Sequence, residues 1–129
     1  MDPSTRADSA GLEQLDRQTC YALLAQASIG RLVFTLGALP AVEPVHFVLD
    51  GHDVLIGADQ RLILPAVSRL TVVAFEADEY DPLTRTGWCV VLIGRSRADG
   101  DGLRISPEIV RGRWIRSVPL PAVQDTAVG

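Results

Sequence analysis

The side chains with chemical potential in this 129-residue chain are few and scattered. Cys20 and Cys89 are 69 positions apart with no CxxC or Cys/His spacing around them, so neither a metal knot nor a disulfide framework is indicated. A nucleophilic thiol needs a nearby base or a helix N-terminus to form its thiolate, and neither is evident beside Cys89. Both cysteines therefore read as small hydrophobes. Glu76, Asp78, Glu79 and Asp81 crowd into six positions but lack the spacing of a calcium loop, so a solvated acidic loop is expected and no metal site. No Ser-His-Asp order, HExxH, Walker sequence or GxGxxG occurs, which leaves hydrolase, zinc-protease and nucleotide-loop chemistries without support. Arg31 is read as a structural partner of a carboxylate such as Glu43 across a hairpin, with an anionic ligand as the alternative.

Composition limits the partners. A net charge of −4 offers no basic field for a phosphate backbone, and no helix-turn-helix or zinc-finger pattern is present, so nucleic acid is not expected. The first residues carry no apolar signal core, and no apolar run approaches the roughly 20 residues that span a bilayer. A cytoplasmic protein with no membrane partner is expected. Apolar residues make up 47% of the chain and charged residues 22%, which suits one packed core.

The periodicity supplies the elements. Residues 1–10 read as a loose leader, 11–120 as a single domain and 121–129 as a frayed tail. Leu12, Leu15, Cys20, Leu23, Leu24 and Ala27 recur at three- and four-residue steps, predicting an amphipathic helix over 12–27 with Gly30 placed to end it. The period then changes to two. Arg31 to Leu36 and Ala41 to Leu49 read as a hairpin, with Pro44 marking a bulge or an unpaired edge. Asp50-Gly51 signals a second tight turn into Val54–Ile56. A short crossover helix follows over about 60–68, with Asp59 as its cap. Strands are then predicted at 71–77, 87–97, 103–105 and 113–118, with a polar loop over 78–86. One helix, antiparallel strands and one helical crossover make a closed or partly closed barrel.

The order of these segments carries a resemblance. Gly30-Arg31-Leu32, Pro40 to Phe47, Asp50-Gly51, Phe75-Glu76-Ala77-Asp78 and Gly87 to Gly94, with a fainter echo at Gly112-Arg113-Trp114-Ile115, are similar to the flavin-binding split-barrel family that includes pyridoxamine 5′-phosphate oxidase, in particular its short actinobacterial branch. The resemblance implies a mainly β, Greek-key-like split β-barrel with an N-terminal helix. It also implies a homodimer with its sites at the subunit interface, and a flavin-dependent oxidoreductase of unstated substrate. FMN is the implied cofactor, with the deazaflavin F420 or haem as alternatives. The implied cofactor-binding residues are Val45, His46 and Phe47 on one strand, Ile56, Gly57, Ala58, Arg61 and Leu62 after the next, and Trp88. His46 stands where relatives often carry Asn, and could donate to a flavin carbonyl or ligate a haem iron. Arg61 stands at the last basic position of the family's phosphate grip. The Arg-Thr pair that precedes it in relatives is absent, and Asp59 would bring a negative charge close by. A non-catalytic cofactor- or haem-binding dimer, or a structural dimer that has lost the phosphate site, are the rival readings.

Overall fold

We describe a computed structural model of the chain, covering residues 5–7, 13–57, 71–116 and 121–123. Eight strands and one helix follow one another: β1 Thr5–Ala7, β2 Glu13–Leu15, α1 Arg17–Leu24, β3 Ile29–Leu36, β4 Leu39–Asp50, β5 Asp53–Ile56, β6 Thr71–Asp81, β7 Thr86–Asp99 and β8 Gly102–Ile115. The expected crossover helix lies outside the described residues.

All strand pairs are antiparallel, and the order β8-β5-β4-β3-β6-β7 closes on itself because β7 also pairs with β8. This is the split barrel that the sequence predicts. The long β8 closes the barrel by pairing with β7 along one edge and with β5 on the other, where it also takes β2. Leu103–Ile105 pair with β5, whereas Gly112 and Arg113 pair with β2.

The loops explain the closeness of the hairpins. Gly37 and Ala38 both have positive φ, 58° and 66°, the conformation of a two-residue type I′ connection between Leu36 and Leu39. Gly51, at φ 61°, opens the two-residue turn between Asp50 and Asp53, where it alone has positive φ, as in a type II′ connection. Three carboxylates from two such turns converge on Arg104. Its Nε donates to Asp99 at 2.6 Å, Nη1 to Asp53 at 2.9 Å and Nη2 to Asp50 at 2.8 Å, tying the β4–β5 and β7–β8 hairpins to the start of β8.

Alternation separates the two faces. Leu32, Phe34, Val45, Phe47, Val54, Ile56, Val73, Phe75, Ala77, Trp88, Val90, Leu92, Leu103 and Ile105 point inward and, with Cys20, Leu23 and Leu24 of α1, form one core. Phe47 and Phe75 meet edge to face at 4.8 Å between centroids.

Several sequence expectations need correction. The helix begins at Arg17 rather than Leu12, because the Asp16 carboxylate accepts from Thr19 N at 2.8 Å and caps it there, leaving Glu13–Leu15 free to pair as β2. The helix ends at the Ala25 C-cap, and Gly30 lies within β3, where a side chain would collide with the Phe75 ring. The acidic stretch is strand rather than loop: β6 runs to Asp81 and β7 starts at Thr86. The last two predicted strands are one, since β8 carries Pro107 through a bulge, with Ile93 paired to Ile109 but Gly94 to Pro107. Pro44 makes no bulge. It stands opposite Arg31 where β4 has β3 alone as neighbour, since pairing with β5 starts at Phe47, so its missing N–H costs no ladder bond. In the segment read as a leader, Thr5–Ala7 pairs with β2.

Candidate functional site

The β4–β5 ladder builds the most suggestive surface for a cofactor. Phe47 stands opposite Ile56 and Val48 opposite Leu55, so Val45, Phe47 and Ile56 are buried while His46 and Val48 face outward. His46, Phe47, Val48, Leu55, Ile56 and Gly57 line a shallow depression of about 250 Å³. Val48 is 61% exposed, an unusual place for a β-branched apolar side chain unless something covers it. The site is thus an apolar strip with one imidazole at its rim and a glycine at its end. It suits the flat face of a ring system. Of the residues singled out from the sequence, His46, Phe47, Ile56 and Gly57 come together here, with Val45 as the buried anchor beside them. Ala58, Arg61 and Leu62 lie outside the described residues.

Trp88 is elsewhere. It is buried, 5% exposed, with Glu79 and Trp114 as its partners on β6 and β8, and it floors a second depression.

The outer face of the barrel holds the polar cluster that the sequence did not connect. Arg31 faces away from Glu43: Arg31 pairs in register with Pro44, and Glu43 with inward-facing Leu32. Its partners lie instead on the opposite neighbour, β6. Nη1 donates to Glu76 Oε1 at 2.8 Å and to Asp78 Oδ2 at 3.0 Å. Cys89, next to Asp78 in the β6–β7 ladder, donates its thiol proton to Glu76 Oε2 at 3.4 Å. Burial pushes the Glu76 carboxyl up, and so does its neighbour Asp78, against the lowering contacts from Arg31 and Cys89. Burial, reinforced by Glu76, raises Cys89 from 9.0 to about 12, and burial raises Cys20 to about 11. Neither thiol is built as a nucleophile. No group of three or more potential metal ligands occurs among the described residues.

Around this cluster the outer face is apolar. Val42, Val33, Ala74, Ile93 and Ile109 stand in register across β4, β3, β6, β7 and β8, all half-buried or exposed. No described helix is long and apolar enough to cross a membrane.

Residues 16–114 match the family model described as pyridoxamine 5′-phosphate oxidase. The chain belongs to that family. An uncharacterised protein of Mycobacterium tuberculosis is 43% identical over 86 residues, 63% of this chain and 57% of that relative, so the chain aligns with little more than half the relative's length. Among solved structures, the FAD-binding protein of Mycobacterium smegmatis is 28% identical, with a TM-score of 0.69 over 81% of this chain and 99% of its own. An FAD- and haem-binding protein of the same organism has a TM-score of 0.65 at 13% identity, over 84% of this chain and 76% of its own, a likeness of fold alone. The barrel of this oxidase-family member is therefore shared with proteins that bind flavins.

Proposed function

We propose that the chain is a flavin-binding homodimer, with FMN as its cofactor, acting as an oxidoreductase. The observation that carries this reading is the apolar strip of Val48 and Leu55 with His46 at its edge, on the ladder where the family resemblance puts the ring. At about 250 Å³ and open to solvent, the depression falls below the roughly 300–1,000 Å³ of sites that enclose a ligand of this size. A second wall is needed. A second copy of the chain supplies one if the apolar row from Val42 to Ile109 is the contact between copies, which would also cover the exposed side chains of that face.

A bound flavin supplies the hydride chemistry. The chain's share is positional. Val48 and Leu55 cover one ring face and exclude water, Phe47 and Ile56 hold the two strands in register from within, and the imidazole of His46 donates to the ring's polar edge. Strand backbone is not free for that task, since the Phe47 N–H already donates to the Ser28 carbonyl at 3.2 Å. Gly57 presents no side chain where β5 ends, and Arg61 would hold the phosphate. The FAD-binding relative from Mycobacterium smegmatis supports a flavin over F420 or haem.

The test is the absorbance spectrum of the purified protein incubated separately with FMN, F420 and haem, then passed through a desalting column. Retained flavin bands are expected with FMN. A Soret band lost in His46→Ala, with no flavin retained, would overturn the assignment.

A further inference from the structure

The second depression, at the β6–β7 end of the barrel, has a different chemistry and shares no lining residue with the first. Its volume is about 450 Å³, and its walls are Glu79, Tyr80, Asp81, Thr86, Gly87, Trp88 and Trp114. Two of those seven are Trp88 and Trp114, the two tryptophans of the chain, on one face with Glu79, whereas the Tyr80 side chain leaves the opposite face with Gly87. Trp88 is the buried floor, Trp114 is half-buried directly across the ladder from it, and Tyr80 is 53% exposed. Gly87 keeps the wall close-set, because a side chain there would collide with the Glu79 carbonyl oxygen and come within 2.9 Å of the Tyr80 Cα.

The charges are one-sided. Glu79 lies opposite Trp88 in the ladder and has no cationic partner among the described residues. Asp81 Oδ1 accepts from Leu83 N at 2.9 Å, which holds that carboxylate in the turn. The neighbouring arginines Arg85, Arg113 and Arg116 are not among the lining residues. An indole face attracts a cation through its quadrupole, and a carboxylate beside it adds the complementary charge. Together they select a ligand that is both positively charged and apolar.

We propose that this depression binds an organic cation of the quaternary or alkylated ammonium class, its methyl groups against Trp88 and Trp114 and its charge facing Glu79, which stands in one row with both indoles. A metal ion does not fit the same walls, because hard cations demand several oxygen ligands and most of this lining is carbon.

The site has its own reporters in Trp88 and Trp114. The intrinsic tryptophan fluorescence of the full chain is titrated with tetramethylammonium chloride at constant chloride, and in parallel with tert-butanol as the uncharged counterpart. The expected result is a saturable change with tetramethylammonium only, weakened about tenfold in Glu79→Gln and abolished in Trp114→Leu together with Glu79→Gln, where Trp88 remains the reporter. Glu108→Gln, an exposed carboxylate paired with Arg95 on the far half of β8, should leave the titration unchanged. Equal responses to both ligands, a response that never saturates, or an unaltered curve in Glu79→Gln would overturn the proposal. The outcome is independent of flavin binding, which uses the other depression.

Discussion

Arg31 and Glu76 face each other across the β3–β6 ladder, bridged at 2.8 Å. Because the same guanidinium holds Asp78 at 3.0 Å, removing it takes the shared partner from two neighbouring carboxylates. Arg31→Met should destabilise the protein by about 1 kcal/mol at neutral pH, at the upper end of what partly exposed pairs contribute. The cost depends on both carboxylates being ionised. Glu76 is already raised by burial, so the folded state takes up a proton there before the unfolded chain does, and lowering the pH through that raised value relieves the repulsion. Urea unfolding of the variant and the parent at pH 7 and near pH 5 should show a gap that narrows on acidification. A gap that widens would contradict the assignment.

Gly112 sets the distance between α1 and β8. A Cβ at this position would stand 2.5 Å from Cys20 Sγ and 3.3 Å from both Leu15 Cδ1 and Val90 Cγ2, all of them buried. Gly112→Ala should therefore cost about 1–3 kcal/mol through overpacking. Cys20→Ala removes the nearest atom, so the double variant should recover a good part of that loss, and thermal unfolding of the four species measures the coupling. Additive losses would mean that the helix seat is set elsewhere.

Cys89 should be a poor nucleophile in the folded protein. With its thiol pushed up to about 12, the thiolate fraction at pH 8 falls by a factor on the order of a thousand relative to an ordinary cysteine. Alkylation by iodoacetamide, followed by mass spectrometry, should be slow for both cysteines until the protein is unfolded. The same shift has a thermodynamic side. A folded pKa above the unfolded value means stability is fully present below pH 9 and declines as the pH rises toward about 12, with Cys20 contributing to the same decline below about 11. Cys89→Ala should flatten that alkaline slope.

The strands were legible in the sequence wherever alternation was strict. Leu32 and Phe34, Val54 and Ile56, and Trp88, Val90 and Leu92 are the buried alternates of three runs read as strands, although Leu36 at the end of the first is exposed. The misreadings have one kind of cause. Leu12 and Leu15 fit a helical stripe, but Asp16 caps the helix one residue later, and a cap outweighs a marginal stripe. Glu79 and Asp81 look like loop residues, yet they extend β6 because β7 offers them an eleven-residue ladder. Pro107 reads as a strand breaker, yet a bulge absorbs it.

Long-range partners were the least visible. Arg104 binds Asp50 and Asp53, more than fifty positions away, and Arg31 binds Glu76 across 45 positions. Both pairings depend on barrel closure, which no local pattern encodes. The Glu43 alternative for Arg31 was reasonable by sequence distance and wrong by parity, since the two side chains leave opposite faces of the hairpin. The strip from Val45 to Phe47 was singled out through its motif, whereas the depression around Trp114 was not, because its walls come from three separate strand ends.

The central claim is that the outer strip of the β4–β5 ladder holds a flavin ring. The most direct measurement is a titration of FMN fluorescence by the full-length chain, with Val48→Glu and His46→Ala alongside it and circular dichroism to verify the fold of each. The predicted result is saturable quenching by the parent, loss of at least tenfold in affinity in Val48→Glu, where a charge sits on the ring-facing strip, and a smaller loss in His46→Ala. Unquenched FMN with the parent, or equal binding by a folded Val48→Glu variant, would contradict it.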